Sequence, residues 1–145
     1  MYYPARFDKE DSGYTVTFRG IPEAVTCGDD FNDALSMAED VLISAIEVYF
    51  DGDKRFPAPN DTLESDERWV FLPDHIYAKV LLHNTMLEMN VSKAELARLS
   101  NIRPPEIQRI LTPRHATKID TISRLLKCLN KRLHLSLSSD EHSDN

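Results

Sequence analysis

Val91-Ser92-Lys93-Ala94-Glu95-Leu96-Ala97-Arg98-Leu99-Ser100-Asn101-Ile102-Arg103-Pro104-Pro105-Glu106-Ile107-Gln108-Arg109-Ile110-Leu111 reads as two short helices joined by a tight turn. Ser92 is a good N-cap, and Glu95, three residues on, completes a capping box. Leu96 and Leu99 share one face of the first helix, and Ala97 is small where a second helix must cross close by. Asn101 stands where the turn needs a residue tolerant of positive φ. Ile102, Ile107 and Ile110 supply the apolar contacts of the second helix, which leaves Arg103, Glu106, Gln108 and Arg109 facing out. A helix-turn-helix is built this way: a buried corner of small and apolar residues, and a second helix that offers guanidinium and amide groups to a DNA major groove.

Outward from this stretch the periodicities change. Tyr2 to Lys9 and Tyr14 to Phe18 read as the arms of a hairpin turning at Glu10-Asp11-Ser12-Gly13, and Glu23 to Cys27 as a short third strand. Asp29 or Asp30 caps a long helix with apolar positions Phe31, Ala34, Leu35, Ala38, Val41, Leu42, Ala45, Val48 and Tyr49. Residues 51–67, with Gly52, Pro57, Pro59 and six acidic residues, read as an irregular acidic connector. Trp69-Val70-Phe71-Leu72 is a fourth strand returning to the sheet, with Trp69 closing the core. Asp74 caps a helix to about Met89, with Ile76, Val80, Leu81 and Leu87 inward. Lys118 to Leu129 is a further helix, and Leu133 to Leu137 alternates as a strand. The fold class is therefore α+β: a β-β-β-α-β unit over 1–72, an all-α unit over 73–137, and a polar tail over 138–145 read as disordered.

The net charge of −7 opposes nucleic-acid binding, but its distribution reverses that. Residues 1–72 hold 6 Lys+Arg against 16 Asp+Glu; residues 91–135 hold 10 against 3. The acidic part suits a basic protein partner and the basic part a phosphate backbone. Arg103, Gln108 and Arg109 are the candidates for base edges, since Arg fits guanine O6 and N7 and Gln fits adenine N6 and N7. Lys93, Arg114 and Lys118 are the candidates for backbone phosphates. Lys127, Lys131 and Arg132 read better as a solvated helix end favoured by the dipole. One short recognition helix reads few base pairs, so a two-fold homodimer on a palindrome is expected, built on the Lys118–Leu129 helix and the 133–137 strand. A tetramer through the N-terminal sheets stays open.

Several classes are set aside. No run reaches the ~18 apolar residues of a membrane span, and Met1 to Arg6 lacks a signal-peptide core, so a cytoplasmic protein is expected. Cys27 and Cys128, far apart and outside any CxxC, read as reduced and mostly buried thiols. His75, His83, His115, His134 and His142 form no HxH or HExxH pattern, so neither a metal nor a cofactor is expected. His115 lies in a basic loop, where phosphate contact and a plain loop role both stay open. Asp8, Glu10, Asp11, Asp29, Asp30 and Asp33 are numerous, but they fall at a turn and a helix start rather than mid-strand, which argues against two-metal nuclease chemistry.

The order of parts Tyr3 to Phe7, Gly13-Tyr14-x-Val16-x-Phe18, Ile21 to Asp29 and the Ala34, Ala38, Ala45 helix resembles the HicB antitoxin family. Glu95-Leu96-Ala97-Arg98 and His115 to Asp120 resemble its helix-turn-helix version. The resemblance runs to about Leu137; the turn position often held by Gly is Asn101 here. It implies a degenerate ribonuclease-H-like N-terminal domain that binds and covers HicA, a small, usually basic, mRNA-cleaving ribonuclease. It also implies a C-terminal domain that dimerises and represses the operon by binding its operator DNA, and no enzymatic activity. Under that reading the toxin contacts are expected around Asp8, Glu10, Asp11, Tyr14 and Glu23, with the 51–67 connector alongside. The main rival is a one-component regulator whose N-terminal domain senses a small molecule.

Overall fold

A computed structural model describes residues 1–139; Asp140 to Asn145, most of the tail read as disordered, lie outside the described residues. The elements run β1 (Tyr2–Glu10), β2 (Gly13–Phe18), β3 (Ile21–Gly28), α1 (Phe31–Asp51), β4 (Glu67–Phe71), α2 (Asp74–Met89), α3 (Lys93–Ser100), α4 (Pro104–Ile110) and α5 (Ile119–Cys128). They fall into two compact units. The first takes Met1–Ala45 and Pro57–Leu72; the second takes Ile46–Phe56 and Pro73–Leu137.

In the first unit an antiparallel sheet has the order β3-β2-β1-β4. β1 is central because it is paired on both sides, Ala5 opposite Phe18 and Tyr3 opposite Val70. Phe7 and Tyr14 meet Phe31 of α1, with ring centroids 5.1 and 6.0 Å apart. Strand alternation then sends Tyr3, Ala5, Val16, Phe18 and Val70 to the helix-covered face, where all are buried. Ala34, Ala38, Leu42 and Ala45 of α1 are buried too, the alanines letting helix and sheet approach closely. Val48, expected inward, is exposed. Trp69 is only half-buried; Val70 beside it is the core residue.

Two glycines make the entry to α1 possible. Gly13 has φ +142, and a Cβ on it would overlap the Gly28 carbonyl; a Cβ on Gly28 would overlap the backbone of Ala34. Asp30 then caps α1, its carboxylate accepting from the Asp33 N–H at 2.8 Å, while the Asp33 carboxylate accepts from the Asp29 N–H at 2.9 Å. At the other end of this unit Glu67 is buried, gripped by Arg19 through two 2.8 Å bonds and by the Glu64 N–H at 2.6 Å. Burial pushes the Glu67 carboxyl up, but the bonds from Arg19 and Glu64 outweigh it and hold the group below its ordinary range.

The second unit packs Leu82, Met86, Leu96, Ile107, Ile110, Ile122, Leu125 and Leu126 into one core. Three of its helices end on asparagine: Asn90, Asn101 and Asn130 have φ of 57, 59 and 60. Asn tolerates the left-handed conformation best after Gly, and its use agrees with a chain holding only four glycines. Phe56 in the irregular connector is fully buried, and its backbone is held at both ends by the Asn84 side chain, at 3.0 and 2.9 Å.

Several expectations fail here. In the single chain Leu133 to Leu137 is not a strand: residues 129–139 form no regular element. Asp74 lies inside α2; Pro73 holds the cap position without a side-chain bond. Ile76 and Val80 of α2 are buried as expected, but further along the helix Leu82 and Met86 are buried in place of Leu81 and Leu87. This helix is buried on most of its circumference, so apolar spacing could not set its phase. Leu99 is 46% exposed, since α3 buries only its Leu96–Ala97 edge. Cys27 is exposed, sharing with Val25 the uncovered face of the edge strand β3.

Candidate nucleic-acid interface

The α3–turn–α4 segment forms for local reasons. The Ser92 hydroxyl accepts from the Glu95 N–H at 3.1 Å, as the capping pattern requires. Asn101 turns the chain in the left-handed region, and its neighbour Ile102 donates back to the Ala97 carbonyl at 3.2 Å. Pro104 and Pro105 fill the first turn of α4, where a missing N–H costs nothing. Ile107 and Ile110 then bury themselves, and the 3.6-residue period leaves Glu106, Gln108 and Arg109 exposed on the other side of α4.

Arg103 occupies the cap position of α4 and is exposed. Arg109 is bridged to Glu106 at 3.0 Å across one turn. Lys93, at the start of α3, donates to the Gln108 side-chain oxygen at 3.0 Å, so two of the expected contact residues touch each other. Arg114 pairs with Glu47 near the end of α1 at 3.1 Å. Lys118 is exposed at the cap of α5. His115 is exposed in the same loop. Exposed pairs of this kind contribute roughly 0–1 kcal/mol and exchange readily for a phosphate.

One residue of this region was not recognised in the sequence. Lys79 of α2 is fully buried, and its ammonium donates to the carbonyls of Thr112, at 2.7 Å, and His115. It thereby ties down the loop carrying Arg114. Burial pulls its pKa from 10.5 to about 8. The signal was present in Ile76-Tyr77-Ala78-Lys79-Val80-Leu81-Leu82, a lone charge within an apolar run.

In the first unit the expected toxin contacts divide between the two faces of the sheet and its turn. Asp8 and Glu10 alternate onto the sheet face opposite α1; Asp8 accepts from Arg6 and Glu10 from Thr15, each at 2.8 Å. Asp11 is exposed in the hairpin turn, and Glu23 is exposed on edge strand β3. Tyr14 points the other way, edge-on to Phe31. Asp30 and Asp33 are engaged in capping α1. Among the described residues no group of three or more His, Cys, Asp or Glu is arranged to hold a metal ion, and no helix is long and apolar enough to cross a membrane.

A family model described as HicB_like antitoxin of bacterial toxin-antitoxin system matches residues 2–81. The chain is 47% identical over 135 residues to Antitoxin HicB 2 of Photorhabdus laumondii, covering 93% of this chain and 95% of that protein. It is 36% identical over 136 residues to Antitoxin HicB of Escherichia coli K12, covering 93% and 98%. It is 32% identical over 137 residues to Antitoxin HicB of Pseudomonas fluorescens, covering 94% of each. With matches of this extent, the chain belongs to the HicB-like family of antitoxins from bacterial toxin–antitoxin systems.

Proposed function

We propose that this antitoxin works with two surfaces. The first unit, a degenerate ribonuclease-H-like domain without catalytic activity, binds and occludes a small basic mRNA-cleaving toxin of the HicA kind. The second unit is a helix-turn-helix domain that binds the operator of its own operon in the cytoplasm and represses it. The observation that carries the DNA part is the division of α4: Ile107 and Ile110 buried, Arg103, Gln108 and Arg109 exposed on a helix held by the Asn101 turn.

In this reading α4 enters the major groove. Arg103, Gln108 and Arg109 reach base edges, and Lys93, Arg114 and Lys118 neutralise phosphates. Release of Arg109 from Glu106 and of Lys93 from Gln108 accompanies docking. A homodimer places two such helices on a palindrome, and a tetramer through the N-terminal sheets extends the same symmetry. The toxin docks on the acidic first unit around Asp8, Glu10, Asp11 and Glu23, with Tyr14 supporting the hairpin from behind; charge complementarity speeds the encounter.

The test joins both surfaces. The chain is co-expressed with a short basic protein, which this reading expects to be encoded beside it, and binding to the DNA upstream of its gene is followed by gel shift. Arg103→Ala and Arg109→Ala should each weaken DNA binding by about 1–3 kcal/mol while toxin capture is unchanged. Undiminished DNA affinity in the double variant would refute the assignment of α4.

A further inference from the structure

Of the polar residues that α4 turns outward, Glu106 has no part in the docking proposed above. Successive helical residues turn by about 100°, so Glu106 and Gln108 lie on opposite flanks of Arg109, while Ile107 and Ile110 face the core. Gln108 is on the flank toward α3, where Lys93 donates to it at 3.0 Å, and Glu106 is on the other. Glu106 is also in the first turn of α4. A recognition helix brings its N-terminal residues to the base edges, so this carboxylate faces the groove together with Arg103 and Arg109.

An acid in a first turn complements the helix dipole, and α3 has the same arrangement: Glu95 stands in its first turn and meets Arg98, one turn on, at 3.5 Å. The two acids differ in what they face. The first helix of such a motif crosses the backbone, whereas the first turn of the second enters the groove. Docking takes the Arg109 guanidinium, 3.0 Å from Glu106, onto a guanine. The carboxylate then loses its cation and, as a group that only accepts, needs an N–H donor from the DNA. Guanine presents the acceptors N7 and O6, thymine presents O4, and adenine sets its N7 acceptor beside its N6 amine; cytosine alone presents an amine, N4, with no acceptor beside it. Three residues of helix advance about 4.5 Å, close to the step of about 3.4 Å between base pairs. Glu106 and Arg109 are therefore spaced to read adjoining pairs.

We propose that Glu106 determines operator specificity, its carboxylate accepting from cytosine N4 at a base pair adjoining the guanine taken by Arg109. This deepens the DNA-binding reading and rests on it. Glu106 acts by exclusion as much as by attraction. Opposite guanine or thymine the carboxylate meets acceptors only, so it keeps its bridge to Arg109 and withholds the guanidinium from the bases. A carboxylate among phosphates also weakens binding to DNA of any other sequence, which widens the gap between operator and non-operator affinity.

The experiment selects binding sequences from randomised duplexes with the full chain, with Glu106→Ala, and with Glu95→Ala, which removes the same charge from α3. Affinities for the selected duplex, for single-base changes in it and for a shuffled duplex follow from fluorescence anisotropy at one salt concentration. The wild type should select a cytosine beside a guanine, and replacing that cytosine should weaken binding about tenfold. Glu106→Ala should accept any base at that position, keep the guanine, and bind the shuffled duplex more tightly than the wild type does. Glu95→Ala should keep the wild-type consensus. A consensus unchanged in Glu106→Ala, an equal change in its affinity for every sequence, or a base other than cytosine at the position it relaxes would overturn the role of Glu106 while leaving DNA binding by α4 in place. A wild type that selects no sequence would refute the DNA-binding reading and the role of Glu106 with it, so the two failures are told apart.

Discussion

Lys79→Met is the most informative perturbation of the second unit. It keeps the length and apolar stem of the side chain and removes only the ammonium. That ammonium is buried and carries a pKa of about 8 in place of 10.5, a difference worth about 3 kcal/mol between folded and unfolded states. A lowered lysine pKa means that the folded chain releases the proton first. The wild type therefore bears the whole cost of the buried charge below pH 8, and sheds it as the pH rises from about 8 to about 10.5. The neutral amine still offers two N–H donors to the Thr112 and His115 carbonyls. In the variant those carbonyls keep the His115 N–H at 3.1 Å and the Thr117 hydroxyl at 3.4 Å, and lose the lysine at a cost of about 1 kcal/mol each. Near neutral pH the two effects nearly cancel, with a small advantage to the variant. Above pH 8 the balance moves toward the wild type by about 1.4 kcal/mol per pH unit, so the two stability curves cross. Urea unfolding followed by circular dichroism at 222 nm, from pH 7 to 10.5, measures this. A difference between wild type and variant that stays constant across that range would refute the account of Lys79.

Three further outcomes follow from the first unit. Glu67→Gln leaves Arg19 without its bidentate partner and should cost about 2 kcal/mol at pH 7, read by Trp69 fluorescence during thermal unfolding. Because the folded Glu67 pKa is lowered, its stabilisation is complete above the ordinary carboxylate pKa of 4.5 and disappears as pH falls through the lower folded value; the variant should therefore show a flatter acid limb. Gly28→Ala forces a methyl group into the backbone of Ala34 and should lower stability by about 2 kcal/mol or more, whereas Gly20→Ala, at φ +75 but with open space around it, should cost about 1 kcal/mol. If the acidic first unit steers a basic toxin, raising salt to about 0.5 M should slow association roughly tenfold while changing dissociation little, as measured by surface plasmon resonance.

Much of this protein was legible in local sequence because local physics decided it. The Gly13 turn, the alternation of β2, the capping carboxylates before α1, and the Ser92–Glu95 and Asn101 signals each act over a few residues, and each is found where its chemistry put it. The outward side of α4 was readable for the same reason: two buried isoleucines three residues apart leave no other face for Gln108 and Arg109. The inward residues of α2 were readable only in its first half, where Ile76 and Val80 are buried. A helix enclosed on most sides carries no contrast between faces, so apolar spacing selected Leu81 and Leu87 where packing selects Leu82 and Met86.

The sequence by itself determined where most strands and helices begin and end, which half is acidic and which basic, and which short helix presents guanidinium groups. Tertiary structure alone decided three things: that Lys79 reaches the Thr112 loop, that Glu47 near the end of α1 holds Arg114, and that a cleft opens between that helix end and α3. These join residues tens of positions apart, and no periodicity or cap encodes such a meeting. It follows from how closely packed elements must fit, and so it exists only once the core has formed.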